Sequence, residues 1–218
     1  MDVARQLSSG GAFFARARAR LRHDVPAALA DPDAPIAHGD HALDPVMLAI
    51  AAVRPTRQAA VLVPIVDRDE PAVLFTQRAA HLPSHAGQIS FPGGKIDATD
   101  VSPVDAALRE SEEEIGLERR FVEPLGYLDL YLSGTGFRIL PTVARVVADF
   151  RLTLNPAEVD DAFEVPLAFL MAPENHQRHS REWKGMTRTY YAMPFGERYI
   201  WGVTAGILRN LYERIFQT

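Results

Sequence analysis

Four glutamates crowd one short stretch of this chain: Glu110, Glu112, Glu113 and Glu114, directly after Arg109. On a helix, at about 100° per residue, Glu110, Glu113 and Glu114 share one arc because positions i, i+3 and i+4 are neighbours. Glu112 points away. Three carboxylates so placed repel each other, and a divalent cation removes the repulsion. An all-oxygen donor set favours magnesium or manganese, which keep positions open for water and for phosphate oxygens. A bare run of glutamates is usually a solvated face. Here it follows Phe91-Pro92-Gly93-Gly94-Lys95-Ile96-Asp97, a diglycine turn that lets backbone approach whatever the carboxylates hold.

The element that must position these groups is punctuated at both ends. Ser102 is a suitable N-cap, Pro103 suits the first helical position, and Asp105 completes a capping-box pattern. Gly116 stands where a left-handed C-terminal cap belongs. Val104, Leu108, Ser111 and Ile115 form a narrow stripe, the expected core face.

Gly94, Asp100, Arg109-Glu110, Glu113-Glu114 and Gly116-Leu117 together resemble the Nudix box. Eight residues, rather than the family's seven, separate the acidic position from Arg109. Asp100 replaces a more usual Glu, and Ser111 replaces an apolar residue. The extra residue falls before or within the first helical turns, which leaves the glutamates in register. Upstream, Leu74–Ala79 and His85–Gly94 resemble the motif that precedes the box in the coenzyme A diphosphatase branch, and Trp201–Leu208 resembles the same branch. Pro83 stands where that motif carries an Arg. Leu154–Val159 followed by Phe163–Leu167 resembles the segment in which a loop glutamate faces the metal site.

The resemblance covers about residues 60–217. It implies an α/β Nudix fold, an α/β/α sandwich with a central mixed β-sheet. It also implies hydrolysis of the pyrophosphate bond of coenzyme A or its derivatives, to 3′,5′-ADP and 4′-phosphopantetheine or its acylated form. In that reading Glu110, Glu113 and Glu114 hold Mg2+ or Mn2+, with Glu113 also counted as catalytic. Glu158 is the general base, weighed against an exposed glutamate at a helix start, and Arg109 orients a glutamate. Arg78 and Lys95 add positive charge at the substrate, and His85, Gly93 and Gly94 complete the binding set. His85 is equally readable as a buried, hydrogen-bonded loop histidine. Two other functions stay open: hydrolysis of ADP-ribose or nucleotide sugars, and a nucleotide-binding module without turnover.

Composition is compatible with all of this. At 218 residues, 47% apolar and 23% charged, the chain is of ordinary globular make-up, and no stretch has the length of a membrane-spanning helix. The absence of cysteine excludes disulfides and thiolate chemistry, and fits a reducing compartment such as the cytoplasm. A net charge of −5 gives no basic footprint for nucleic acid. A small nucleotide is the expected partner, and a homodimer is compatible.

The remaining elements follow in order. Residues 1–57 read as an N-terminal helical segment and connector, and 58–218 as the Nudix domain. Arg5, Arg16, Arg18, Arg20 and Arg22 make the first segment basic, which reads as a plain helix in preference to a transit peptide. Pro26–Asp44 is an irregular connector with solvated His38 and His41, and a short helix spans Val46–Val53. Gln58–Val66 is a strand buried on both faces, paired through a turn with Ala72–Arg78 at the centre of the sheet. Phe121–Leu132 and Phe137–Phe150 are further strands. Pro173–Lys184 is a polar loop, Arg188–Met193 and Tyr199–Trp201 are strands, and the final helix begins near Trp201, where Gly202 and Gly206 allow close approach.

Overall fold

The computed structural model describes residues 10–52, 56–183 and 185–217. Its strands are β1 (His38–Gly39), β2 (Arg57–Asp67), β3 (Ala72–Arg78), β4 (Ile89–Ser90), β5 (Gly93–Lys95) and β6 (Val122–Tyr127). They continue with β7 (Tyr131–Leu132), β8 (Phe137–Val147), β9 (Val159–Pro166), β10 (Gln177–Trp183), β11 (Met186–Phe195) and β12 (Arg198–Trp201). The helices are α1 (Gly10–Arg20), α2 (Val46–Ala52), α3 (Pro103–Ile115), α4 (Leu167–Leu170) and α5 (Val203–Phe216).

The spine is β2. It runs parallel to β8 from Arg57↔Phe137 to Asp67↔Val147, and antiparallel to β3. Being covered on both faces, it needs apolar side chains at successive positions, so its sequence does not alternate. The main sheet has the order β1-β7-β8-β2-β3-β4, with β5 also on β2, β6 on β8 and β9 on β3.

One face carries Ala60, Leu62, Val66, Leu74 and Ala144, clustered with Ala106, Ala107 and Ile115 of α3. The other carries Val63, Ile65, Val73, Phe75 and Val143, clustered with Phe13 and Ala17 of α1 and with Leu208, Leu211 and Ile215 of α5. Helices on both faces of a mixed sheet make the expected α/β/α sandwich. β10, β11 and β12 form a separate antiparallel sheet.

Several sequence expectations need correction. Gln177–Trp183 is a strand rather than a loop; its polar residues show no apolar alternation, because most of them face solvent. The connector before α2 is not wholly irregular, since His38–Gly39 pairs in parallel with Tyr131–Leu132. On α3 the buried residues are Ala106, Ala107, Ser111, Glu114 and Ile115, so the core face is rotated from the apolar stripe and includes Glu114. Gly206 does approach closely, as a Cβ there would lie 2.4 Å from Tyr131 Oη, but Gly202 has open space and owes its identity to φ +63°. Arg5, Val53 and Lys184 lie outside the described residues.

Candidate active site

The carboxylate helix starts and stops where its sequence directs. Ser102 Oγ accepts from Asp105 N at 3.2 Å, and Asp105 Oδ2 reaches back to Val101 N at 3.3 Å, one residue before the N-cap. Gly116, at φ +68°, closes the other end by donating to Glu112 O. Ser111 is buried at its apolar position because its Oγ donates to Ala107 O at 2.6 Å, a bond internal to the helix.

The diglycine turn lies against this helix, and both glycines are sterically required. Gly93 sits at φ +148°, and a Cβ there would fall 2.5 Å from Ala60 O. A Cβ on Gly94 would fall 2.5 Å from Glu110 Cδ, so the missing side chain is what admits the Glu110 carboxylate. Gly93 N donates to Glu114 Oε2 at 3.2 Å.

Glu114 is only 4% exposed. Burial pushes its carboxyl up to about 8, and the neighbouring Glu110 and Glu158 charges push the same way. The Gly93 N–H and the Arg78 guanidinium pull it down by less. Glu110 is raised as well, chiefly by burial, against the opposing pull of Arg109.

Arg109 ties the cluster together. Its NH1 donates to Glu110 Oε1 and to Glu113 Oε2, both at 3.0 Å, and its NH2 donates to Lys95 O at 3.3 Å. The other edge forks onto Asp100, with Nε to Oδ1 at 2.9 Å and NH2 to Oδ2 at 3.1 Å. The Asp100 side chain is 2% exposed, and Arg109 holds its carboxyl below the usual carboxylate range. The sequence reading gave Asp100 no partner; the link spans a loop and a helical turn, so spacing alone did not reveal it. Glu112 lies away from this network, with Arg119 Nε 3.8 Å from its Oε2.

Glu158 sits in the turn just before β9, not at a helix start, and Asn155 Nδ2 donates to its Oε1 at 3.2 Å. Asn155 is a second residue that the sequence reading passed over. Arg78 ends β3, acts electrostatically on Glu114, and has a buried Nε that makes no hydrogen bond. Glu110, Glu114, Glu158, Arg78, Gly93 and Gly94 therefore converge, with Glu113 at the rim through Arg109. Lys95 is exposed on β5 and enters this network only through its carbonyl. His85 is exposed rather than buried; at φ 57° it hydrogen-bonds Gln88 Oε1 through Nδ1 at 2.8 Å.

The NUDIX domain model matches residues 56–184. The chain belongs to the Nudix family. It is 41% identical over 159 residues to the uncharacterized Nudix hydrolase NudL of Escherichia coli K12, covering 73% of this chain and 83% of that relative. A MutT/nudix family protein from Enterococcus faecalis aligns in structure with a TM-score of 0.48 at 15% identity, covering 76% of this chain and 64% of that one.

Nudix hydrolases generally use divalent metal ions, and the donor set here suits one. It is all oxygen, and it sets Glu114 and Glu110 against a cradle that only glycine leaves open. Among the described residues, no three acidic or histidine side chains are already drawn together around a cation-sized point. Arg109 occupies part of that space, holding one oxygen each of Glu110 and Glu113.

Proposed function

We propose that this Nudix hydrolase cleaves the pyrophosphate bond of coenzyme A or its derivatives, with Mg2+ or Mn2+ held by Glu110, Glu113 and Glu114. The observation that supports it is the packing of buried Glu114 and half-buried Glu110 against the diglycine turn, with Arg78 and Glu158 acting on Glu114. The coenzyme A assignment is carried by the residues of Leu74–Ala79, His85–Gly94 and Trp201–Leu208.

A pyrophosphate repels an incoming anion, so attacking water must be activated and the developing charge on the leaving phosphate neutralised. A bound divalent cation supplies Lewis acidity and lowers the pKa of a water. The chain's own residues do the rest. Glu158 takes a proton from the attacking water, its carboxylate oriented by Asn155 through Oε1 so that Oε2 remains to accept it. Arg78 offers positive charge to the pyrophosphate oxygens from a position fixed at the end of β3. Arg109 positions Glu110 and Glu113 and is itself anchored by Asp100.

The test is a comparison of kcat/KM for coenzyme A, dephospho-coenzyme A and ADP-ribose at matched magnesium. Coenzyme A should be the best substrate. Faster cleavage of ADP-ribose than of either of the others would overturn the substrate and leave only the family.

A further inference from the structure

A cleft is lined by Met47 and Ile50 of α2 and by residues of the β10–β12 sheet. The loop between β3 and β4 borders it through His85 and Gln88. The same loop begins at Arg78, whose backbone N donates to Gln88 O at 2.9 Å. The loop thus joins Arg78, which acts on the Glu114 carboxylate, to His85 and Gln88 at the border of the cleft.

Regular register sets Arg181 of β10 directly opposite Arg188 of β11, so both leave the sheet on one face, shared with Tyr190 and Trp201. The opposite face is committed to the core through Met193 and Ile200. Like charges directly opposite across strands are destabilising. The Arg181 guanidinium lies over the Trp201 ring, 4.9 Å from its centroid, and Tyr190 packs against the same indole at 5.1 Å. Stacking uses the flat face of a guanidinium and leaves its N–H edge able to donate to an anion. Among the described residues lining the cleft, the one carboxylate is Asp40, which already accepts from Tyr131 Oη at 2.8 Å and from Gly134 N at 2.7 Å. The stacked Arg181 guanidinium therefore presents a cation to the cleft.

We propose that this cleft binds the phosphorylated adenosine end of coenzyme A, with Arg181 holding the 3′-phosphate and Met47, Ile50 and Tyr190 walling the base. The assignment rests on the coenzyme A reading. It supplies the cation that Pro83 does not. It also fits a ligand with two separated anionic groups: the pyrophosphate at the carboxylates and a second phosphate across the loop.

Titration calorimetry with adenosine 3′,5′-bisphosphate and with AMP reads the cleft without turnover. The wild type should bind the bisphosphate roughly 10- to 100-fold more tightly, as expected for a hydrogen-bonded charge contact. Arg181→Gln should bring that ratio close to one while AMP binding stays unchanged. The same variant should shrink the preference for coenzyme A over dephospho-coenzyme A in kcat/KM by the same factor. Equal wild-type affinities, an unchanged ratio in Arg181→Gln, or equal weakening of both ligands would each overturn the assignment. Absence of coenzyme A turnover in the wild type refutes the function and the ligand named here with it. Turnover with an unchanged binding ratio refutes only the cleft.

Discussion

Glu114→Gln should abolish nearly all hydrolysis and yet stabilise the metal-free protein at alkaline pH. The substitution keeps the shape of the side chain and an oxygen for the Gly93 N–H, but removes a carboxyl held at about 8 against an ordinary 4.5. A carboxyl raised in the folded state binds its proton more tightly there than in the unfolded chain. Its contribution is therefore fully present below about pH 4.5 and is lost as pH rises through about 8. Tenfold in a protonation equilibrium is about 1.4 kcal/mol, so the wild type should lose on the order of a few kcal/mol across that window. At roughly 2–4 °C per kcal/mol for a chain of this size, that is a Tm difference on the order of 5–10 °C. The assay is thermal unfolding of both proteins in EDTA from pH 5 to pH 9. Similar Tm values at pH 5 and a more stable variant at pH 9 are expected. Added magnesium or manganese should stabilise the wild type at pH 9 far more than the variant. Parallel curves across the range, or a variant less stable at pH 9, would show that burial does not hold the Glu114 proton.

Three further outcomes follow from the same geometry. Glu158→Gln should lower kcat by about 10²- to 10⁴-fold, the usual cost of losing a general base, with metal affinity measured by titration nearly unchanged; full activity would place proton removal elsewhere. Arg109→Met strips the partner from Asp100, whose side chain is 2% exposed, and should cost on the order of 3–5 kcal/mol in chemical denaturation; a loss within about 0.5 kcal/mol would mean the network carries no stability. Glu112→Gln should leave hydrolysis within about twofold, since an exposed side chain near Arg119 carries little; a loss equal to that of Glu114→Gln would contradict the assignment of helix faces.

The glutamate register, the caps and the central hairpin were legible because each is local. A capping serine, a left-handed glycine and an uninterrupted apolar strand announce themselves within a few residues. What spacing could not show was which half-polar residues are buried. Glu114 is drawn to the core side of α3 because Gly93 offers it an N–H, and the Asp100 side chain is buried because Arg109 reaches back over it. Such pairings depend on how the turn and helix pack. β10 escaped for a related reason: Gln177–Trp183 has neither apolar alternation nor turn punctuation, and becomes a strand through its pairing with β11. The cleft between α2 and that sheet depends on β10 being a strand, which no local signal in Gln177–Trp183 announces.

The proposed metal-dependent cleavage of coenzyme A at its pyrophosphate is read by resolving the products. Coenzyme A is incubated with the protein and magnesium or manganese, with an EDTA control, and the mixture is separated and weighed by mass spectrometry. Equal amounts of 3′,5′-ADP and 4′-phosphopantetheine are expected, formed only with metal and lost in Glu114→Gln. Intact coenzyme A after incubation with either metal, or products cut at any other bond, would contradict it.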